Sequence, residues 1–143
     1  MGSTTLLVSI QPQYAKKIFA GTKQVELRRV RPNVTKGDTL AIYVSSPEKE
    51  LRGAAKILGL IEGTPEQIWN LVGDVSGLAR PDFMGYFKGC QRAFAIRLGL
   101  PMELAQPTPL DTIRKKHPTF HPPQMYRYLD SNTAQSLGLA NAA

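Results

Sequence analysis

Three ionisable residues at short spacing, Lys23, Glu26 and Arg28, sit in the stretch TKQVELRR at residues 22–29. Lysine and arginine donate hydrogen bonds to phosphate or carbonyl oxygens, and arginine does so through a planar fork that can engage two acceptors. A carboxylate beside them can accept from a base amino group, serve as a general base, or hold the two cations in place. The same stretch alternates, with Val25 and Leu27 apolar and Gln24, Glu26 and Arg28 between them. Period-two alternation is the pattern of a half-buried strand, so the charges fall on one face. That face either lines a binding site or is a solvated edge, and these eight residues alone do not decide between the two.

Cations and aromatics elsewhere fit the same chemistry. Single-stranded RNA is bound by cations that neutralise phosphates, rings that stack on bases and polar groups that read base edges. The residues of that kind are Lys17, Lys23, Glu26, Arg28, Tyr43, Lys49, Arg52, Tyr126, Arg127 and Tyr128. Lys16, Lys17, Lys23, Arg28, Arg29 and Arg31 cluster around the single acid Glu26, and Arg114, Lys115 and Lys116 form a second group ahead of His117 and His121. A net charge of +7 adds to the case for a polyanionic partner, RNA or a nucleotide. The two histidines stand four apart, but Pro118 and the pair Pro122-Pro123 deny them a shared helix face, so no metal site is expected. There is no glycine-rich phosphate loop and no nucleophile-elbow pattern, and no cofactor is expected.

The elements that must position these groups are short. Residues 4–11 read as a strand. Residues 12–21 read as a helix, with Pro12 at its start and Gly21 just past its end. The strand of TKQVELRR follows, then a turn at Lys36, Gly37 and Asp38, and strands over 39–46 and 51–63. Gly53 and Gly59 mark bulges or bends in the last of these. Thr64 caps a helix, a second helix lies within 79–89, and a strand spans 91–104. A short helix stops at Pro118, and residues 122–130 return to the sheet. The expectation is an α+β domain over residues 1–130, a small and mostly antiparallel β-barrel with short peripheral helices. Residues 131–143 lack a strong pattern and are expected to fray.

Composition agrees with one soluble domain: 42% of the 143 residues are hydrophobic and 20% charged. No apolar run approaches the roughly 20 residues of a membrane span, and the N-terminus lacks a signal-peptide pattern. One cysteine, Cys90, cannot form an internal disulfide. A reducing, cytoplasmic location with no membrane association is therefore expected.

In the order of its pieces the chain resembles the ASCH domain family, whose members have a PUA-like barrel. The resemblance rests on LLVSIQPQYAKKIFAGTKQVELRR, with its Lys23-x-x-Glu26-x-Arg28 spacing, then on VTKGDTLAIYVSSPEKELRGAAKILG and the later AFAIRLG. It covers residues 5 to 104, and HPPQMYRYLD is similar to the end of one bacterial branch. It implies an RNA-facing cleft between barrel and helices, lined in part by the Lys23 strand. Some relatives bind RNA and others cleave single-stranded RNA. One branch hydrolyses N4-acetylcytidine with a lysine and a threonine of this strand and a downstream glutamate. Lys23 matches that lysine, Glu26 stands where the threonine would be, and Asp74 falls in the region of the glutamate. Two functions stay open: an RNA-binding module, or a hydrolase acting on single-stranded RNA or an N4-acylated cytidine nucleoside. For an enzyme, Lys23 and Glu26 are the catalytic candidates.

Overall fold

A computed structural model describes residues 3–139. The chain runs β1 (Thr5–Ile10), α1 (Pro12–Ala20), β2 (Val25–Arg28), β3 (Thr39–Val44), β4 (Glu50–Gly63), α2 (Pro65–Val72), a 3-10 turn (Gly73–Val75), α3 (Arg80–Tyr86), β5 (Ala93–Pro109), α4 (Leu110–Lys116), β6 (Tyr126–Leu129) and α5 (Ser131–Ser136). The six strands form one curled sheet in the order β2-β5-β4-β3-β1-β6. Every pairing is antiparallel except β1 with β3. This is the mostly antiparallel barrel with short helices that the sequence implies. No described helix is long and apolar enough to cross a membrane.

Alternation builds the core. Leu6, Val8 and Ile10 of β1, with Leu40, Ile42 and Val44 of β3, pack inside the curl against Ala15 and Ile18 of α1. The intervening Leu7, Ala41 and Tyr43 point outward, into a second cluster with Ile113, Phe120, Ala134 and Leu137. Strand β3 is therefore buried on both faces. A third cluster sets Val25 and Leu27 of β2 against Ile68 and Val72 of α2 and Phe83 of α3. Burying side chains of this size contributes about 2 kcal/mol each, which fixes the register of β2 and turns Glu26 and Arg28 to the opposite face.

Local signals place the helices as expected. Pro12 opens α1, and Gly21 closes it in the left-handed region at φ 86°. Thr64 and Gln67 form a capping box on α2. Residues 131–139 depart from the expected frayed tail. The Asp130 carboxylate accepts from Thr133 N–H and caps α5. Ala134, Leu137 and Leu139 then bury themselves in the second cluster. Residues 140–143 of that expected tail lie outside the described residues. Strand β5 is longer than expected and outruns β2: Val25–Arg28 pair with Phe94–Arg97, whereas β5 stays on β4 as far as Pro109.

Candidate functional site: a cleft where the two ends of the sheet meet

Strands β2 and β6 are the two ends of the sheet, and the curl brings them face to face without backbone pairing. Side chains bridge them instead. The Arg28 Nη1 group donates to the Met125 carbonyl at 2.8 Å. Asn33 N–H donates to the Tyr128 hydroxyl at 2.8 Å, tying the loop after β2 to β6. Beside this seam lies a cleft of about 590 Å³ lined by residues of β1, α1, β2, α3 and the approach to β6.

The polar face of β2 forms one wall. Arg28 Nη2 pairs with Glu26 Oε2, and the two side chains are only 12% and 10% exposed. Arg28 Nε and Ser9 Oγ are buried and have no hydrogen-bond partner among the described residues. Both residues line the cleft. A buried donor left unpaired costs about 1–3 kcal/mol, so the fold carries a cost of that order beside the cleft. Tyr14, Tyr86 and Tyr126 supply aromatic surface. The Tyr86 hydroxyl donates to the Leu27 carbonyl at 3.1 Å, and the Arg29 guanidinium stands 5.1 Å from the centre of the Tyr86 ring. Burial raises the Tyr86 phenol above its ordinary pKa, with Arg28 opposing.

Lys23 sits beneath this wall and is 5% exposed. Its Nζ donates to the Ser76 carbonyl at 2.6 Å and lies 5.6 Å from the centre of the Tyr14 ring. Gly77 covers its stem closely: a Cβ on Gly77 would come within 3.1 Å of Lys23 side-chain carbons. Lys17 Nζ donates to the Gly77 carbonyl at 2.8 Å, and Gln24 N–H to the Val75 carbonyl at 2.8 Å. Three bonds therefore stitch the segment leading to α3 onto the end of α1 and the turn before β2.

Burial lowers the Lys23 pKa from 10.5, with Glu26 opposing and Lys17 and Arg28 assisting. Because the folded value is depressed, the unfolded chain holds more protons in the window between that value and 10.5. Stability should therefore rise with pH across that window. Urea melts at a series of pH values should show this rise in the wild type and not in Lys23→Met. Parallel curves for the two proteins would mean that the ammonium is not desolvated as described.

The cleft gathers Lys23, Glu26, Arg28 and Tyr126; Tyr128 does not line it but stands next to Tyr126, with ring centroids 5.6 Å apart. It does not gather the other candidates. Lys17 is turned to the Gly77 carbonyl on the far side of the stitched segment. Tyr43 is 2% exposed and packs 6.4 Å from Phe120 in the second cluster. Lys49 is exposed in the β3–β4 turn with φ 51°. Arg52 is paired with Glu48 and Glu50. Arg127 projects to the other face of β6, 5.5 Å from the centre of the Phe120 ring. Asp74 is exposed in the 3-10 turn and lines a separate shallow depression with Trp69. His117 Nε2 meets Ser136 Oγ at 2.8 Å. No group of three metal-ligating side chains occurs among the described residues.

Sequence reasoning missed Ser9, Tyr14, Tyr86 and Met125. Ser9 left a signal, as the lone hydroxyl in the apolar run LLVSI. The others meet only through contacts between distant segments.

A family model described as the ASCH domain matches residues 8–75. A protein of Zymomonas mobilis named ASCH domain-containing ribonuclease is 29% identical over 131 residues, covering 92% of this chain and 88% of the relative. The crystal structure of ASCH from Zymomonas mobilis superposes with a TM-score of 0.89 at 28% identity, covering 94% of this chain and 93% of that one. The N-terminal domain of Staphylothermus marinus McrB reaches a TM-score of 0.63 at 11% identity, covering 96% and 94% of the two chains, a likeness of fold alone.

Proposed function

This chain carries an ASCH domain in the PUA-like barrel form, and from that premise we propose that its cleft binds single-stranded RNA, seating one base between the tyrosine walls against the Glu26–Arg28 pair. The observation that carries the reading is the combination in one cleft of stacking rings, a buried ion pair and a lysine. Its volume of about 590 Å³ lies within the range of small-ligand pockets, about 300–1,000 Å³. Arg29 at the lip and the net charge of +7 favour the phosphates.

Fluorescence titration of short RNAs at low and moderate salt tests this. Binding should be micromolar or tighter at low salt and should weaken steeply as salt rises. Glu26→Gln keeps the shape of the side chain and removes an acceptor charge. If Glu26 receives a base amino group, affinity should fall about tenfold, in line with about 1–3 kcal/mol for a base-edge contact. Unchanged or tighter binding by Glu26→Gln would assign Glu26 to holding Arg28 only. No binding of any RNA by the wild type would remove the reading.

The name of the Zymomonas relative favours a second reading, cleavage of the bound RNA. Glu26 would take the 2′-hydroxyl proton as that oxygen attacks phosphorus, the bond from phosphorus to the 5′-oxygen would break with water protonating the departing oxygen, and Arg28 or Lys23 would steady the charge on the phosphoryl oxygens. Labelled RNA incubated with and without magnesium separates the two. Cleavage that survives in both Glu26→Gln and Lys23→Ala would not originate in this cleft. An N4-acylated cytidine nucleoside belongs in the same assay as an alternative hydrolytic substrate.

A further inference from the structure

We propose that the cleft continues outward into a second subsite, formed by Val30, Met125 and Tyr128, which takes a base flanking the one held inside; the inference rests on the RNA-binding reading and deepens it. These side chains are 52%, 54% and 43% exposed, and large apolar groups matter as a site only where they stand together. Val30 and Met125 line the cleft itself. Tyr128 is held beside them because its hydroxyl accepts from Asn33 N–H at 2.8 Å.

Residues 126 and 128 of a strand share a face. The Tyr126 and Tyr128 rings accordingly meet edge to face, with centroids 5.6 Å apart. Tyr126 is half-buried in the cleft wall, and Tyr128 is exposed outside it. Aromatic surface thus runs without a break from the interior to the mouth. The surroundings suit a nucleic acid. Residues 124–129 contain no carboxylate, Arg28 bridges the seam to Met125, and Arg29 lies at the lip over Tyr86. Flat apolar surface beside cations is what consecutive bases of a single strand stack on. The occupant is therefore an oligonucleotide, and a free nucleoside leaves half of the site empty.

The experiment compares a mixed-sequence RNA hexamer with hexamers that keep one base and are abasic elsewhere, at fixed salt, so that the phosphates are the same. Wild-type protein should bind the full hexamer about tenfold more tightly than the best of the abasic set. Tyr128→Ala should erase that preference. Tyr128→Phe keeps the ring and loses the tether to Asn33, and it should keep most of the preference. Equal wild-type affinity for full and abasic hexamers overturns the second subsite while leaving the inner site standing. A Tyr128→Phe loss as large as that of Tyr128→Ala overturns it too, by assigning the residue to loop tethering. A wild-type dimer in sedimentation that Tyr128→Ala converts to monomer would give the patch to a second copy of this chain instead. Binding of neither hexamer removes both this inference and the RNA reading.

Discussion

Arg28→Ala is expected to weaken RNA binding at least tenfold and to destabilise the fold by about 3 kcal/mol, because a buried carboxylate loses its partner. Glu26 is 8% exposed, and Arg28 is its only salt-bridge partner among the described residues. The same substitution removes the bond to the Met125 carbonyl that joins the two ends of the sheet. For a chain of this size the melting temperature should fall by roughly 10 °C. The double variant Arg28→Met/Glu26→Leu separates the two effects. Replacing both charges by apolar groups of similar volume should restore most of the stability, yet RNA affinity should stay low because the donors are gone. A single Arg28→Ala variant that melts within a degree or two of the wild type would show that the ion pair is well solvated and that β6 does not need the bridge.

Gly53→Ala should be more damaging still and should act on the barrel itself. A Cβ on Gly53 would lie 2.2 Å from the Met102 carbonyl oxygen and 2.9 Å from Glu103 Cα. Those are backbone atoms of the paired strand β5, which cannot swing aside as a side-chain tip can. Gly53 also sits where the register of β4 shifts against both neighbours, so relieving the clash would disturb three strands. A loss of about 4 kcal/mol or more, seen as insoluble protein or a urea midpoint near zero, is expected. Gly59 in the same strand is the internal control. A Cβ there meets nothing within 4 Å, and Gly59→Ala should be neutral or stabilise by up to about 1 kcal/mol. Similar midpoints for the two variants would contradict the close approach at Gly53.

Most of the sheet is legible in the sequence because alternation and punctuation are local. Val25 and Leu27 announce the buried face of β2, Pro12 and Gly21 bracket α1, and Thr64 caps α2. Tyr43 shows where locality ends. Its face of β3 was legible, but not that the face is covered. The cover comes from Phe120, α4 and α5, 70 and more residues away. The C-terminal segment failed for a different reason. Asp130, three residues before Thr133, is a capping signal, and Leu137-Gly138-Leu139 a helix-ending one, but both are too short to stand out without the cluster that receives them. At the site, the strand with Lys23, Glu26 and Arg28 was readable as chemistry. Its opposite wall was not, because Tyr14, Tyr86 and Met125 converge only when the sheet curls.

The way β5 outruns β2 bears on how this protein avoids sticking to itself. An open strand edge is a template for another chain, and long flat edges seed aggregation. The two terminal strands, β2 and β6, are four residues each, and the seam between them is occupied by Arg28, Met125 and Tyr128. That leaves the far half of β5, which has β4 on one side and no described strand on the other. It carries Pro101, Pro107 and Pro109. Proline has no N–H to offer an incoming strand, so this border of β5 is interrupted at three positions along its length.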